Sequence, residues 1–270
     1  MNTTPLARAA QGPARRAALV TTFLGALALA ATLAPMLSPS LAHAANVQGS
    51  GNSVTETRTL DAFEAVALSG AMDLVVRQGA QQSVQVQADD NLLPLLETVV
   101  ESGRSGNTLK VRWKREGGWG NGWQNMQSRS KVLITVTVPK LSAVSVAGSG
   151  DVRVEAFNTP SLQLSLSGSG DARLEGLTTE ELGVRVSGSG DVTGKGSAAK
   201  VKISIAGSGD VRLNELRADE VSVSIAGSGD AAVNAQKTLS VSIAGSGDVT
   251  YVGDAQVKSS VAGSGTVRRK

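Results

Sequence analysis

The sequence predicts an all-β fold, a single-stranded parallel β-helix or solenoid with coils of about 20 residues. Gly-Ser-Gly recurs seven times from Gly148 onward, at intervals of 20, 20, 19, 20, 18 and 18 residues. Apolar and polar side chains alternate before each recurrence, which is typical of half-buried strands. A period near 20 indicates units that bury their apolar faces only by stacking on one another.

The strand of each unit precedes its Gly-Ser-Gly corner, and a shorter strand such as Val152 to Val154 follows it. A variable return, for example residues 175–178, leads to the next unit. Parallel coils of this kind stack about 4.8 Å apart, and we expect right-handed winding. The apolar position two residues before each corner lies inside: Val146, Leu166, Val186, Ile205, Ile225, Ile243 and Val261.

A carboxylate follows six of the seven corners, and Thr266 follows the last. We predict a structural ladder in which each aspartate accepts turn N–H groups. Stacked carboxylates repel one another by about 1 kcal/mol per neighbouring pair in water, so calcium bound between coils is the alternative. The predicted ladder consists of Asp151, Asp171, Asp191, Asp210, Asp230 and Asp248.

Residues 60–140 are predicted to form the first coils and a cap, and residues 141–270 the regular repeat. Ser69-Gly70-Ala71-Met72-Asp73 is an altered copy of the corner. A short helix is expected at residues 91–101. Further strands are predicted at residues 74–77, 83–88, 108–114 and 132–138.

The first 44 residues have the pattern of a signal peptide, and residues 45–59 are interpreted as a leader or linker. Three arginines precede an apolar run at residues 17–33, and Ala42-His43-Ala44 supplies a cleavage pattern. The alternative is an uncleaved membrane anchor. After cleavage we expect no membrane span and delivery to the periplasm, with secretion or surface display as alternatives.

The composition of the mature chain excludes several function classes. Without the three arginines of the leader, 23 basic residues remain against 23 acidic ones. A nucleic-acid partner is therefore not expected, because no basic excess remains. The chain has no cysteine and its only histidine, His43, lies in the leader. Histidine-dependent nucleophilic sites and ordinary zinc sites are excluded, and we assign no catalytic residue, metal ligand or cofactor.

Residues 117–130 are predicted to form a loop rich in glycine and asparagine that contains two tryptophans, Trp119 and Trp123. Exposed aromatic rings among glycines can stack on sugars or enter a groove of a partner. We therefore assign Trp119 and Trp123 as candidate ligand-binding residues. The alternative is that the rings cover the open end of the β-helix.

The chain resembles the head GIN domain family of autotransporter adhesins over residues 60–270. The matching features are Phe63-x-x-Val66 with Ser69-Gly70, the segment Ala88-Asp89-Asp90-Asn91-Leu92-Leu93, and the Gly-Ser-Gly-Asp series. The resemblance implies a β-helical exported domain and offers no catalytic residue. An autotransporter also needs a membrane barrel, and no such pattern follows the last repeat, so periplasmic delivery remains the simplest expectation.

These features predict a non-catalytic, adhesin-like protein of the cell envelope that binds a polysaccharide or an envelope protein. One alternative is a calcium-stabilised structural element. A polysaccharide-degrading enzyme is the least favoured alternative. Such enzymes need paired acids at a defined separation in a cleft, whereas the acids here repeat regularly.

Overall fold

The computed structural model of the chain describes residues 47–103, 106–114 and 126–270, and these residues form an all-β solenoid. The coils are stacked in parallel and in register. Leu164 pairs with Val184, and Val184 pairs with Ile203. The predicted architecture is therefore confirmed. The predicted signal peptide and most of the tryptophan loop lie outside the described residues.

The N-terminal half contains short strands and one turn of 3-10 helix, η1, at Leu93–Leu95. Strands are observed at all four positions expected from the sequence. The strands are β1 Val47–Gln48, β2 Ser53–Arg58, β3 Ala65–Ser69, β4 Asp73–Gln78, β5 Ser83–Asp89, β6 Leu96–Gly103, β7 Gly106–Trp113, β8 Met126–Gln127 and β9 Leu133–Val138.

In the repeat region several strands are longer, up to 17 residues, and each strand pairs with the equivalent strand of a neighbouring coil. These strands are β10 Ala143–Gly148, β11 Val152–Val154, β12 Phe157–Gly168, β13 Ala172–Gly188, β14 Val192–Gly207, β15 Val211–Gly227, β16 Ala231–Gly245, β17 Val249–Val252, β18 Gln256–Gly263 and β19 Val267–Arg269.

The expected helix at residues 91–101 is wrong. Only η1 is helical, and from Leu96 onward the segment forms β6, which pairs antiparallel with β7. The β-branched run Thr98-Val99-Val100 favours a strand once a partner is present, and Val99 finds one opposite Lys110.

The predicted separation of each coil into two strands and an irregular return also needs correction. Strands β13 to β16 run through their returns, so residues 175–178 belong to β13. The ladder between β13 and β14 only shifts register between Glu175 and Leu177. The returns of β13 to β15 each have an equivalent segment above and below them, and these segments supply the hydrogen-bond partners that keep the returns extended.

The two ends of the solenoid differ. At the N-terminal end, β5 pairs antiparallel with β2 and β9, and the β6–β7 hairpin extends the sheet that contains β3. At the C-terminal end, every residue of β18 is exposed, including Val257 at 37% and Val261 at 40%. Within the described ranges, no helix has the length and apolar character needed to cross a bilayer.

Candidate functional site

The corners of the solenoid are built from closely stacked glycines. The first glycine of each corner has a positive φ, for example 131° at Gly168 and 134° at Gly188. A Cβ atom on Gly188 would overlap the carbonyl oxygen of Gly168 in the preceding coil, and one on Gly190 would overlap that of Gly170. Only glycine fits both the backbone conformation and the close approach.

Each aspartate of the ladder accepts a hydrogen bond from the backbone of the next coil. The N–H of Asp171 donates to Oδ1 of Asp151 at 3.1 Å, and the N–H of Asp191 donates to Oδ1 of Asp171 at 3.0 Å. Asp73 belongs to the ladder as well, since its Oδ1 accepts the N–H of Asp151 at 3.0 Å. The same bond recurs at Asp210, Asp230, Asp248 and Thr266.

A second bond joins the coils at the same corner in the opposite direction. The N–H of Val152 donates to the carbonyl oxygen of Asp171 at 2.7 Å, and the N–H of Ala172 donates to that of Asp191 at 2.8 Å. The carboxylate thus supplies an acceptor where the regular strand ladder is interrupted. The aspartates occupy structural positions between coils.

Cations neutralise part of the ladder. Arg212 contacts Asp191 at 2.8 Å and Asp210 at 2.7 Å, and Arg268 contacts Asp248 at 3.1 Å. Burial raises the pKa of Asp191, but the N–H of Asp210 and the Arg212 guanidinium lower it further, so the net pKa is below the ordinary value. The Thr266 hydroxyl and N–H, with Arg268, hold the pKa of Asp248 below the ordinary value.

The ladder does not resemble a metal centre. In the part of the chain that the structure describes, no group of three or more histidine, cysteine, aspartate or glutamate side chains is placed to hold a metal ion. Each coil contributes one aspartate, and one of its oxygens already accepts a backbone N–H. Calcium prefers six to eight oxygen ligands around one point, whereas each of these aspartates uses one oxygen for the hydrogen bond between coils.

Asp89 forms a buried anionic centre that sequence reasoning missed. Its side chain is fully buried, and its two oxygens accept the N–H of Gly51 at 3.1 Å, the hydroxyl of Ser128 at 2.9 Å and the N–H of Arg129 at 2.9 Å. The Ser130 hydroxyl is the largest cause that lowers the pKa of Asp89, to about 2, despite the opposing effect of burial. Asp89 therefore ties two distant segments to the end of β5.

Asp90 and Asn91 continue this attachment. Asp90 accepts hydrogen bonds from the Ser50 hydroxyl at 2.5 Å and from Asn52 at 2.9 Å, and Asn91 donates to the carbonyl of Gln48 at 2.9 Å. The Ser50 hydroxyl is the main reason that the pKa of Asp90 lies below its ordinary value. The sequence signal that could have indicated this centre is the run Asp89-Asp90-Asn91 directly after the predicted strand at residues 83–88.

Beside this centre lies an open recess of about 960 Å³ at the N-terminal end of the aspartate ladder. Its walls combine the half-buried ring of Trp113 with polar and charged groups, including Asp73, Arg129 and Lys131. The Trp113 ring lies against the corner glycine Gly70. Lys131 is paired with Asp73 at 3.1 Å, and its side chain is 86% exposed. An aromatic ring beside hydrogen-bonding groups suits a polar ligand with an apolar face.

The predicted binding residues Trp119 and Trp123 lie outside the described residues. Trp113 precedes residues 115–125, Gln127 follows them, and both line the recess. Residues on both sides of 115–125 therefore lie at this site. The aspartate ladder also starts here, with Asp73, and continues along the solenoid axis.

The chain is similar in structure to several proteins of known crystal structure. A "putative adhesin" from Bacteroides fragilis has a TM-score of 0.74 and 26% identity, and the match covers 83% of this chain and 100% of that one. A "putative lipid binding protein" from Parabacteroides distasonis has a TM-score of 0.70 and 23% identity over 83% and 99% of the chains. A "putative adhesin" from the same species has a TM-score of 0.64 and 23% identity over 83% and 100%.

No curated protein matches the chain. A family model matches residues 62–255, which span the altered first corner, the Asp89 centre and most of the repeat, and the family is described as "Putative auto-transporter adhesin, head GIN domain". This match covers well over half of the chain and agrees with the corner motif and the stacked coils. The chain belongs to the head GIN domain family.

Proposed function

We propose that this protein is a non-catalytic, exported, adhesin-like protein of the cell envelope that binds a polysaccharide at the Trp113 recess. The observation that carries the proposal is the recess itself, where an aromatic ring lies beside Asp73, Lys131 and several hydroxyl or amide groups. Sugar rings present apolar faces that stack on aromatic side chains and hydroxyl groups that bind carboxylates and amides.

The proposal extends to Trp119 and Trp123. Both residues are in the segment that follows Trp113 and precedes Gln127, and these two residues line the recess. Additional rings beside Trp113 would lengthen the stacking surface for an extended ligand. An envelope protein is the second class of partner that such a surface could bind.

A binding role is favoured over catalysis by the use that the structure makes of its carboxylates. Glycoside hydrolysis requires two acids facing each other across a scissile bond. Along the ladder each described carboxylate faces the backbone of the next coil instead, as between Asp171 and Asp191. The description of the family and of the Bacteroides fragilis relative as adhesins supports a non-enzymatic, exported protein.

We also propose that the protein needs no bound ion, since backbone N–H groups and arginines already compensate the ladder. Thermal unfolding in the presence of calcium and of a chelator measures this directly. An unchanged midpoint is expected. A rise of several degrees with calcium would instead support the calcium-stabilised structural role.

A glycan array with purified protein tests the binding proposal. The Trp119→Ala/Trp123→Ala variant should lose most of the signal, and Lys131→Ala should weaken it. Lys195→Ala is the matched control, because Lys195 is also an exposed lysine paired with one carboxylate, Glu215, but lies in a return far along the chain. If the wild type binds a glycan and all three variants bind it equally strongly, the recess is excluded as the binding site. The absence of binding to any glycan would overturn the polysaccharide proposal.

A further inference from the structure

One lateral face of the solenoid consists almost entirely of small polar and small apolar side chains. We call it the serine face, and it comprises the outward residues of β10, of the last six residues of β12 to β16, and of β18. Its central column is Ser145, Ser165, Arg185, Ser204, Ser224, Ser242 and Ser260. One flanking column is Ala143, Gln163, Gly183, Lys202, Ser222, Ser240 and Lys258, and the other is Ala147, Ser167, Ser187, Ala206, Ala226, Ala244 and Ala262.

The serine face carries positive charge and no carboxylate. The three columns contain Arg185, Lys202 and Lys258 and neither aspartate nor glutamate. Because basic and acidic residues are equal in number after residue 44, the rest of that chain has an excess of acids. A face whose charged groups are all cationic favours an anionic partner at this position.

Arg185 and Lys202 differ from most other exposed cations of the coils. Lys195, Lys200 and Lys237 each lie within 4 Å of a carboxylate, and the same holds for Arg153, Arg212, Arg268 and Arg269. No carboxylate of the described residues lies within this distance of Arg185 or Lys202. Both side chains are exposed, so their charges are open to a ligand.

The local packing brings a third polar group to this pair. The amide of Gln163 lies over Gly183, where any Cβ atom would overlap it. Gly183 is the register partner of Lys202, and Arg185 follows two residues later on the same strand. Gln163, Arg185 and Lys202 therefore occupy adjacent outward positions on three neighbouring strands, among small residues that leave room for a polymer chain.

We propose that the serine face binds an acidic polysaccharide, whose carboxylate or sulfate groups contact Arg185 and Lys202 and whose hydroxyl groups contact the serine columns. This inference rests on the proposed polysaccharide binding, adds a second surface separate from the Trp113 recess, and names the chemical class of the ligand. Arginine and lysine form charge-assisted hydrogen bonds with such groups. Lys258 lies three strands from Lys202, about 14 Å along the axis at the usual strand spacing, and it offers a further contact to a chain that runs along the face.

The low density of charge on this face favours a polysaccharide over a nucleic acid. Each strand of a nucleic acid carries a phosphate about every 3.4 Å, and proteins that bind DNA commonly contact six to ten phosphates. The serine face offers three cations over seven coils, separated by hydroxyl groups. This pattern fits a polymer in which charged groups are separated by hydroxyl-rich stretches.

Affinity electrophoresis of the full-length protein tests the inference, with gels that contain polygalacturonate, dextran sulfate or neutral dextran. The wild type should be retarded by at least one acidic polymer and not by dextran, and added salt should weaken the retardation because it screens the charges. Arg185→Ser and Lys202→Ser should each lower the affinity about tenfold. Arg217→Ser is the control, since it removes one exposed charge from a return outside the serine face and should bind like the wild type.

The outcomes separate this inference from the proposed function. Equal weakening by Arg217→Ser would show an effect of net charge alone and would overturn the serine face as the site. Retardation by dextran but by neither acidic polymer would also overturn it, yet would leave polysaccharide binding in place. Tighter binding of single-stranded DNA than of both acidic polymers would contradict the assigned ligand class. Binding of an acidic polymer that is weakened by Arg185→Ser and by Lys202→Ser, but not by Arg217→Ser, would support the inference.

Discussion

At the scale of single residues, the two glycines of each corner meet different requirements. The first glycine adopts a positive φ, as Gly188 does at 134°, and also lies against the carbonyl of the preceding corner. The second glycine has no such φ but has an equally close neighbour, as between Gly190 and Gly170. Stacking at strand spacing therefore leaves no room for a side chain at either position.

Replacement of Gly188 by alanine should destabilise the protein by about 3 kcal/mol, because backbone strain and overlap with Gly168 add together. Gly176→Ala is the matched control in the same strand. Gly176 also has a positive φ, 82°, but its nearest neighbour, Ala156, would be in ordinary contact with the new methyl group, so about 1–2 kcal/mol is expected. Urea unfolding measures both, and equal losses would contradict the role of close stacking.

Asp89 makes the stability depend on pH in a predictable direction. Its pKa is lowered to about 2 in the folded protein, against about 3.9 in an unfolded chain. The folded state therefore holds fewer protons at this site, and the stabilisation is fully present above about pH 4 and is lost as the pH falls through about 2. The free energy of unfolding, measured by urea denaturation at a series of pH values, should therefore decrease as the pH is lowered from about 4 to about 2.

The Asp89→Asn variant should be less stable at neutral pH and show a smaller fall on acidification. One oxygen of Asp89 accepts from Gly51 and the other from Ser128 and Arg129, so the amide group of asparagine must face a donor on one side. Glu64→Gln is the control, because Glu64 is an exposed acid. An unchanged acid dependence in Asp89→Asn would contradict the assignment.

At the scale of the elements, each coil is a nearly continuous strand interrupted at its corner. The carboxylate of the ladder bridges this interruption, since it accepts the N–H of the next aspartate. Charged columns reinforce the register of the strands. Glu181 pairs with Lys200 and Lys200 with Glu220 in neighbouring strands, so a slip of one residue would remove these favourable pairs.

The ladder bond can be tested at Asp171, which accepts the N–H of Asp191 at 3.0 Å. Asp171→Ala leaves this N–H without its acceptor and should cost about 1–3 kcal/mol of the free energy of unfolding. Asp171→Asn retains a side-chain carbonyl and should lose less than about 1 kcal/mol. Chemical denaturation distinguishes them, and if asparagine were as harmful as alanine, the charge rather than the hydrogen bond would be the important property.

At the scale of the whole molecule, the two ends of the solenoid differ among the described residues. Strands β2, β5 and β9 and the β6–β7 hairpin complete the sheets before the first coil. The last coil lacks a neighbour in the described structure, and Val261 is 40% exposed although the equivalent Val186 is 1% exposed. The same sequence position thus contributes differently to stability according to its coil.

Replacement of these two valines by alanine measures the difference. Val186→Ala creates a cavity between two coils and should cost about 2 kcal/mol. Val261→Ala removes a side chain that is already partly in water, and less than about 1 kcal/mol is expected. Thermal and urea unfolding of both variants checks this. A larger loss at Val261 would show that the last coil is covered by a partner or by another part of the chain.

The stacked coils were predictable because their signal is local and repeated. Each coil needs the same glycines at its corner and the same inward aliphatic residues, so the pattern appears seven times. The prediction of a helix at residues 91–101 was wrong because the spacing of apolar residues in this segment does not show that it pairs with β7. The antiparallel pairing of β6 with β7 determines its conformation, as between Val99 and Lys110.

The sequence by itself determined the all-β class, the coil length, the inward columns and the positions of the corners. Tertiary structure decided which groups meet across long sequence separations. Asp89 binds Gly51 and Arg129, 38 and 40 residues away, and Asp73 joins the ladder through Asp151, 78 residues away. A repeat reports contacts at its own period, whereas the cap and the recess depend on unique contacts that no periodic signal records.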